Sequence, residues 1–138
     1  MAIRFFTEEI HFQLADPRKT TFWINKSIKK EKTRLIALGV IFCSDEYLFQ
    51  LNIQYLNHKT LTDIITFDYS EAPKLINGEI YISIERVKDN ATKFKKSFDE
   101  ELHRVIIHGV LHLIGYNDKT PREKSTMRKK EEAYLSLR

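Results

Sequence analysis

The alternation of apolar and polar positions predicts four strands along this chain. Short runs at 3–11 and 35–43 are typical of strands, and the second is so continuously aliphatic that both of its faces should be covered. Two further strands are expected at 62–69 and 79–84. The last of them should follow a turn at Asn77-Gly78, because this dipeptide favours turns.

Helices are predicted where apolar residues recur every three or four positions. The first starts at Asp16-Pro17, because Asp is a favourable N-cap and Pro fits the first helical position, and Trp23 anchors its buried stripe. A second follows Ser44-Asp45 and leads into a polar loop at 57–60. Its expected buried stripe consists of Tyr47, Leu48, Leu51 and Tyr55.

Three helices are predicted to complete the chain, at 85–96, at 98–116 and from 121 onward. The middle one is apolar almost all round, which predicts a central buried helix, and a capping box at 120–123 begins the last. The order β, α, β, α, β, β, α, α, α favours an α+β fold. We therefore expect a single domain over 1–138, in which a four-stranded mixed sheet packs against about five helices.

The predicted central helix carries the most informative stretch, which reads HGVLHLIGYND. A four-residue spacing places His108 and His112 on one helix face, near enough for both imidazoles to reach one metal ion. Gly115 lets the chain turn back, so that Asp118 can supply a third ligand. Two core histidines with hydrogen-bonded rings are the structural alternative. The Gly and the acid at this spacing favour a metal, and the ligand types suit catalytic zinc or another divalent ion such as nickel.

Composition places the chain among globular proteins, with 42% hydrophobic and 30% charged residues. The pattern contains neither a long apolar span nor a signal-peptide layout, which predicts a cytoplasmic protein. The single cysteine, Cys43, lies in an apolar run and should be a buried, reduced thiol. These features exclude membrane-spanning and disulfide-stapled classes.

The net charge of +4 is unevenly distributed. Residues 88–138 carry 12 Lys/Arg and 8 Asp/Glu, whereas residues 1–87 carry 11 of each. The excess therefore lies in the half that holds the histidine pair. Lys95 and Lys96 belong to one dense basic cluster, which either attracts phosphate or lines a solvated helix face.

The spacing HxxxHxxGxxD is that of the metzincin motif HExxHxxGxxH, but Gly109 stands in place of its general-base Glu, which disfavours a metallopeptidase. The stretch more closely resembles HGxLHLxGYDH, the signature of the YbeY family of metal-dependent endoribonucleases and rRNA maturation factors. Other blocks at compatible spacing are similar to the family's LNxxYR, TDVLSF and GDIxIS segments. They lie at 51–56, 62–67 and 77–83, and Met127 with Glu131-Glu132 resembles its C-terminal helix.

This resemblance implies a single-strand-specific endoribonuclease that acts in small-subunit rRNA maturation and in ribosome quality control. It implies one zinc ion, held by His108, His112 and Asp118, that activates the attacking water. Asp63 would either orient a metal ligand or cap a loop. The implied partners are a ribosomal RNA precursor or the small subunit, with a ribosomal protein or an assembly GTPase, and neither a membrane nor DNA is expected.

Two positions depart from the family pattern. Asp118 replaces the usual third His, which lowers the charge of the zinc and its ligands by one unit and should leave the water less acidic. Leu56 stands where the family has an Arg that serves RNA cleavage. Arg104 is a candidate substitute for it, or else forms an ion pair with Glu100 or Glu101. The missing Arg favours an alternative function, a ribosome-assembly RNA-binding factor with a structural metal and little nuclease activity.

Overall fold

The computed structural model describes residues 2–56 and 62–138, with only the backbone given for Leu56. Within these residues the chain forms four strands and five helices in the predicted order. The strands are β1 Ile3–Glu8, β2 Arg34–Cys43, β3 Ile64–Asp68 and β4 Leu75–Ser83. The helices are α1 Pro17–Lys30, α2 Asp45–Leu56, α3 Ile84–Lys93, α4 Phe98–Ile114 and α5 Pro121–Leu135. The predicted polar loop at 57–60 lies outside the described residues.

The strands form one mixed sheet in the order β1-β2-β4-β3. β1, β2 and β4 run parallel, and β3 pairs antiparallel with β4. Coverage of β2 on both faces is confirmed only for its second half, because Val40 and Phe42 are buried on one face and Ile41 and Cys43 on the other, whereas Ile36 is 45% exposed. The α+β architecture with a four-stranded mixed sheet is confirmed.

The predicted turn at Asn77-Gly78 is wrong, because both residues lie inside β4. Gly78 pairs with Asp68 of β3. A Cβ atom on Gly78 would lie 2.3 Å from the backbone oxygen of Phe67 and 3.1 Å from a methyl group of Leu113. The glycine is therefore required by the close approach of β3 and α4 to this strand.

The buried face of α2 also differs from the predicted stripe. Leu48 and Asn52 are buried, whereas Tyr55 is 60% exposed. Leu48 packs with Cys43 and Ile65 in a small cluster, on the sheet face opposite α4. Because this cluster is small, α2 needs only a few apolar side chains to cover it, and Tyr55 can remain exposed. Burial raises the pKa of the Cys43 thiol to about 12, as expected for an inert cysteine.

α4 forms the centre of the main core, as predicted, with Ile106, Ile107 and Val110 fully buried. Gly109 faces the sheet, where a Cβ atom would lie 2.8 Å from Ile64 Cδ1 and 2.9 Å from Ile80 Cγ2. This close contact favours Gly at the position where metzincins have Glu, because a larger side chain would force Ile64 and Ile80, or α4 itself, to move. No helix in the described part of the chain is long and apolar enough to cross a membrane.

We expect Gly78→Ala to destabilise the protein by about 2 kcal/mol or more, because the new methyl group would meet a backbone oxygen that cannot move aside. Urea denaturation measures the change in unfolding free energy. Gly39→Ala in β2 is the matched control, because its Cβ would make contacts of 3.5 Å or longer. Equal unfolding free energies for the two variants would contradict the claim that Gly78 has no room for a side chain.

Candidate metal centre

The chain reverses direction directly after α4. Gly115 ends the helix with φ +127°, and its N–H donates to the carbonyls of Leu111 and His112, each at 3.1 Å. This φ is readily accessible to Gly and strained for other residues. α5 then begins at Pro121, after the N-cap Thr120, whose capping box with Glu123 is complete. The short segment between the two helices is thus anchored at both ends, with Asp118 inside it.

Three acceptor atoms converge at this reversal. The Nε2 atoms of His108 and His112 are 3.0 Å apart. One carboxylate oxygen of Asp118 lies 3.3 Å from the first of these nitrogens and 3.4 Å from the second. All three side chains are partly exposed. The structure therefore brings together the three ligands predicted from the sequence.

The three separations fit one small metal ion. In a tetrahedral zinc site with bonds of 2.0–2.1 Å, neighbouring ligand atoms lie about 3.3 Å apart. The triangle formed by His108, His112 and Asp118 has edges of this size, from 3.0 to 3.4 Å. Two imidazole nitrogens and a carboxylate are also a donor set that divalent transition metals accept. The residues present thus fit the metal that the motif predicts.

Hydrogen bonds at the opposite ring nitrogens orient both imidazoles. His112 Nδ1 lies 2.9 Å from the carbonyl oxygen of Tyr116, and His108 Nδ1 lies 2.6 Å from a carboxylate oxygen of Glu131. A carbonyl and a carboxylate only accept, so each Nδ1 carries a proton and Nε2 is the nitrogen that each ring turns toward Asp118. With a lone pair on each Nε2, these three atoms would repel one another at such distances, and a metal ion among them would remove that repulsion.

No role at this site was predicted from the sequence for Glu131. It lies on α5 with Met127 and Tyr134 at i, i+4 and i+7, and all three are buried. A buried acid needs a hydrogen-bonding or charged partner. The position of Glu131 on the apolar stripe of α5 was therefore the signal in the sequence that could have identified it. The structure supplies two partners, because Arg104 Nη1 lies 3.4 Å from Glu131 on the side away from His108.

Arg104 forms the ion pair with Glu101 that was the predicted alternative to substrate binding. Its Nε and Nη2 donate to the two carboxylate oxygens of Glu101 at 2.9 and 2.7 Å. Glu101 is only 2% exposed and Arg104 34%, so this pair is partly buried. These hydrogen bonds raise the pKa of the guanidinium above its already high ordinary value. Arg104 is thereby held one helical turn from His108.

Asp63 lies beside this ion pair. Its carboxylate is 3.9 Å from Arg104 Nη2, and its carbonyl oxygen accepts from the backbone N–H of Ser83. Within the described residues no hydrogen bond or ion pair joins Asp63 to either histidine of the metal group. Its place in the structure is near the guanidinium, while the residue that contacts a histidine ring is Glu131.

A second buried group stabilises the reversal from the other side. Glu31, at the C-terminus of α1, accepts hydrogen bonds from Tyr116 at 2.6 Å, from Lys130 at 2.9 Å and from Tyr134. Burial alone would raise the pKa of this carboxyl, but these three hydrogen bonds outweigh it, so the pKa is lowered. The Tyr116 side chain is thus anchored while its carbonyl orients His112.

The remaining predicted candidates lie apart from the three ligands. His103 faces elsewhere on α4, as predicted, and its ring packs against Trp23 at 5.5 Å between centroids. Burial lowers the pKa of His103, so this ring is neutral at pH 7. Lys95 and Lys96 are exposed in the link between α3 and α4.

Comparisons with known proteins show similarity along nearly the whole chain. The family model described as Endoribonuclease YbeY matches residues 4–137. The endoribonuclease YbeY of Amoebophilus asiaticus is 54% identical, over 96% of this chain and 90% of that protein. The corresponding protein of Cytophaga hutchinsonii is 53% identical, over 99% and 95%. The solution structure of TM1509 from Thermotoga maritima is 30% identical, with a TM-score of 0.67 over 96% of this chain and 86% of that one.

We expect Glu131→Gln to weaken zinc binding by about tenfold or more, because it removes the negative charge that strengthens His108 as a ligand. Competition with a fluorescent chelator measures the affinity of the purified protein. Glu132→Gln, at the adjacent exposed position, is the matched control and should bind zinc as the wild type does. The same affinity in both variants would contradict the role of Glu131.

We expect Glu31→Gln to lower the stability at pH 7 by about 2 kcal/mol, because charge-assisted hydrogen bonds are lost. A lowered pKa stabilises the folded state above the ordinary value of 4.5, and this contribution disappears as pH falls through the folded-state pKa. The wild type's advantage should therefore shrink below about pH 4.5 in urea denaturation. The exposed Glu71→Gln should show no such pattern, and a constant difference across pH would contradict the prediction.

Proposed function

The chain belongs to the YbeY family of endoribonucleases, and on this premise we propose that it is a metal-dependent enzyme that cuts single-stranded RNA during rRNA maturation. The observation that carries the proposal is the convergence of His108, His112 and Asp118 on one point. The proposed setting is the cytoplasm, in small-subunit rRNA processing and ribosome quality control. The proposed substrate is a ribosomal RNA precursor or the small subunit, reached with a ribosomal protein or an assembly GTPase. Neither a membrane nor DNA is part of this proposal.

We propose zinc as the ion, held by the two Nε2 atoms and the Asp118 carboxylate, although the same ligands accept other divalent metals. When bound, zinc would polarise a phosphate oxygen and increase the acidity of a water molecule. Glu131 holds the proton on His108 Nδ1, and the Tyr116 carbonyl does the same for His112, so both Nε2 atoms stay available. Asp118 adds a negative charge that moderates the acidity of that water.

Substrate contacts are proposed for Arg104, Lys95 and Lys96. Arg104 already donates to Glu101 and Glu131, and its side chain is 34% exposed. It can therefore contact a phosphate only through its exposed edge, without the bidentate hydrogen bonds that a free guanidinium would form. The two lysines are exposed and free to attract the RNA backbone. Asp63, 3.9 Å from Arg104, would limit the swing of the guanidinium toward the substrate.

We expect the purified protein to cleave a single-stranded ribosomal precursor RNA, and a chelator or His112→Ala to abolish cleavage, because both remove the metal. Gel analysis of the RNA products measures the activity, and His103→Gln, away from the ligands, is the control for a substituted histidine on α4. Cleavage that survives both treatments would contradict a metal-dependent reaction. RNA binding without cleavage would identify an assembly factor instead.

The same assay tests Arg104. Arg104→Ala should raise KM if its exposed edge contacts phosphate, whereas equal RNA affinity and cleavage would remove it from the substrate site. A loss of zinc affinity without a change in RNA affinity would instead assign Arg104 to the support of Glu131.

A further inference from the structure

The outer surface of α1 and the turn after it is strongly basic. Residues 18–34 contain seven basic residues and one acid. The basic residues are Arg18, Lys19, Lys26, Lys29, Lys30, Lys32 and Arg34, and all seven are exposed. We call this surface the α1 basic face. The net charge of residues 1–87 does not reveal this face, because acidic residues elsewhere in that range balance its positive charge.

The only acid in this segment does not neutralise the α1 basic face. Glu31 points inward, where Tyr116, Tyr134 and Lys130 donate to its carboxylate. Among the ion pairs of residues 2–56 and 62–138, none includes a side chain of the seven basic residues. Asp99 lies near enough to Lys19 to interact with it electrostatically, but no ion pair within the described residues neutralises the other six cations, and cations gathered in this way create the field that attracts a polyanion.

An aromatic ring stands within the same face. Phe22 is 70% exposed, and the ammonium group of Lys26 lies 5.9 Å from the centre of its ring. The apolar stripe of α1 is buried through Trp23 and Ile24, so Phe22 is not part of the core. Arg18, Phe22, Lys26 and Lys29 follow one another at helical spacing along a single stripe.

The C-terminal end of the α1 basic face is linked to the candidate metal centre through Glu31 and Tyr116. Glu31 bonds directly to the Tyr116 side chain at 2.6 Å. Tyr116 is two residues from Asp118, which is at most about 7 Å along the chain. Lys30 and Lys32 flank Glu31 in sequence. A strand held on this face would therefore leave it close to the three metal ligands.

We propose that the α1 basic face is a docking surface for the single RNA strand that the metal centre cuts; this rests on the proposed function. The lysines contact successive phosphates, and Phe22 offers a face on which a base stacks. Proteins that bind single strands without sequence preference combine such a basic track with exposed aromatic rings.

The chemistry of the face favours RNA over an anionic membrane. A helix that lies on a membrane inserts a broad apolar face, with the basic residues at its border. The apolar stripe of α1 is instead packed into the core, and Phe22 is the one large apolar side chain that α1 exposes. Anionic vesicles therefore serve as a test of the competing partner.

The test compares two triple substitutions of equal charge. One changes Lys26, Lys29 and Lys30 to Gln, and the control changes Lys124, Arg128 and Lys129 to Gln on the exposed side of α5. Binding of a fluorescent single-stranded oligoribonucleotide is measured across a salt series in a His112→Ala background, where the RNA stays intact. Loss of three phosphate contacts should reduce the slope of log K against log salt by about 2 and weaken binding on the order of tenfold. The control should keep the wild-type slope.

Cleavage by the two triple variants, with His112 intact, gives a second measure. The α1 variant should show a raised KM with an unchanged kcat on a long strand, because docking and not chemistry is impaired. Phe22→Ala should weaken binding and leave the salt slope unchanged, since stacking releases no counterions.

Several outcomes would overturn the docking surface. Equal affinities and slopes for both triple variants would show that only net charge matters. Tight binding of wild type to vesicles of anionic phospholipid, lost in the α1 variant while RNA binding is kept, would assign the face to a membrane. If no variant cleaves RNA but the slope still falls in the α1 variant alone, the docking surface stands and the proposed endoribonuclease activity fails.

Discussion

The orientation of two imidazole rings is the constraint on which the candidate site depends. Each ring can turn its Nε2 atom toward Asp118 only because its Nδ1 proton has an acceptor, Glu131 for His108 and the Tyr116 carbonyl for His112. Without these bonds the rings could flip or change tautomer, and the three acceptor atoms would not converge within 3.4 Å. The acceptors come from α5 and from the chain reversal after α4, so the candidate metal centre forms only where these elements meet.

The fold holds these elements in place through contacts away from the ligands. Gly109 lets α4 lie directly against β3 and β4, which fixes the height of both histidines over the sheet. Glu31 joins α1 to the reversal and to α5 through buried hydrogen bonds. Because Glu31 is used inside the molecule, the outer surface of the same segment has no acid of its own. One buried carboxylate thus supports the metal centre and leaves beside it a basic face suited to RNA.

Local signals in the sequence were sufficient for most of the fold and for the convergence of His108, His112 and Asp118. The histidine spacing, Gly115 and the capping boxes act within a few residues, where helix geometry is nearly independent of the rest of the molecule. The turn expected at Asn77-Gly78 failed because that glycine is required by strands and a helix distant in sequence. Glu131 and Glu31 could not be assigned for the same reason: their bonds to His108 and Tyr116 span 23 and 85 residues. Such pairs depend on how whole helices pack.

The central claim is that one metal ion, bound by the two histidines and Asp118, is required to cut RNA. Stepwise addition of zinc to metal-free protein, with the rate of RNA cleavage measured at each step, tests it most directly. The arrangement of three ligands around one point predicts that the rate rises linearly and reaches a plateau at one equivalent of zinc per chain. A full rate in the metal-free protein, or a rise that continues to two equivalents, would contradict the account.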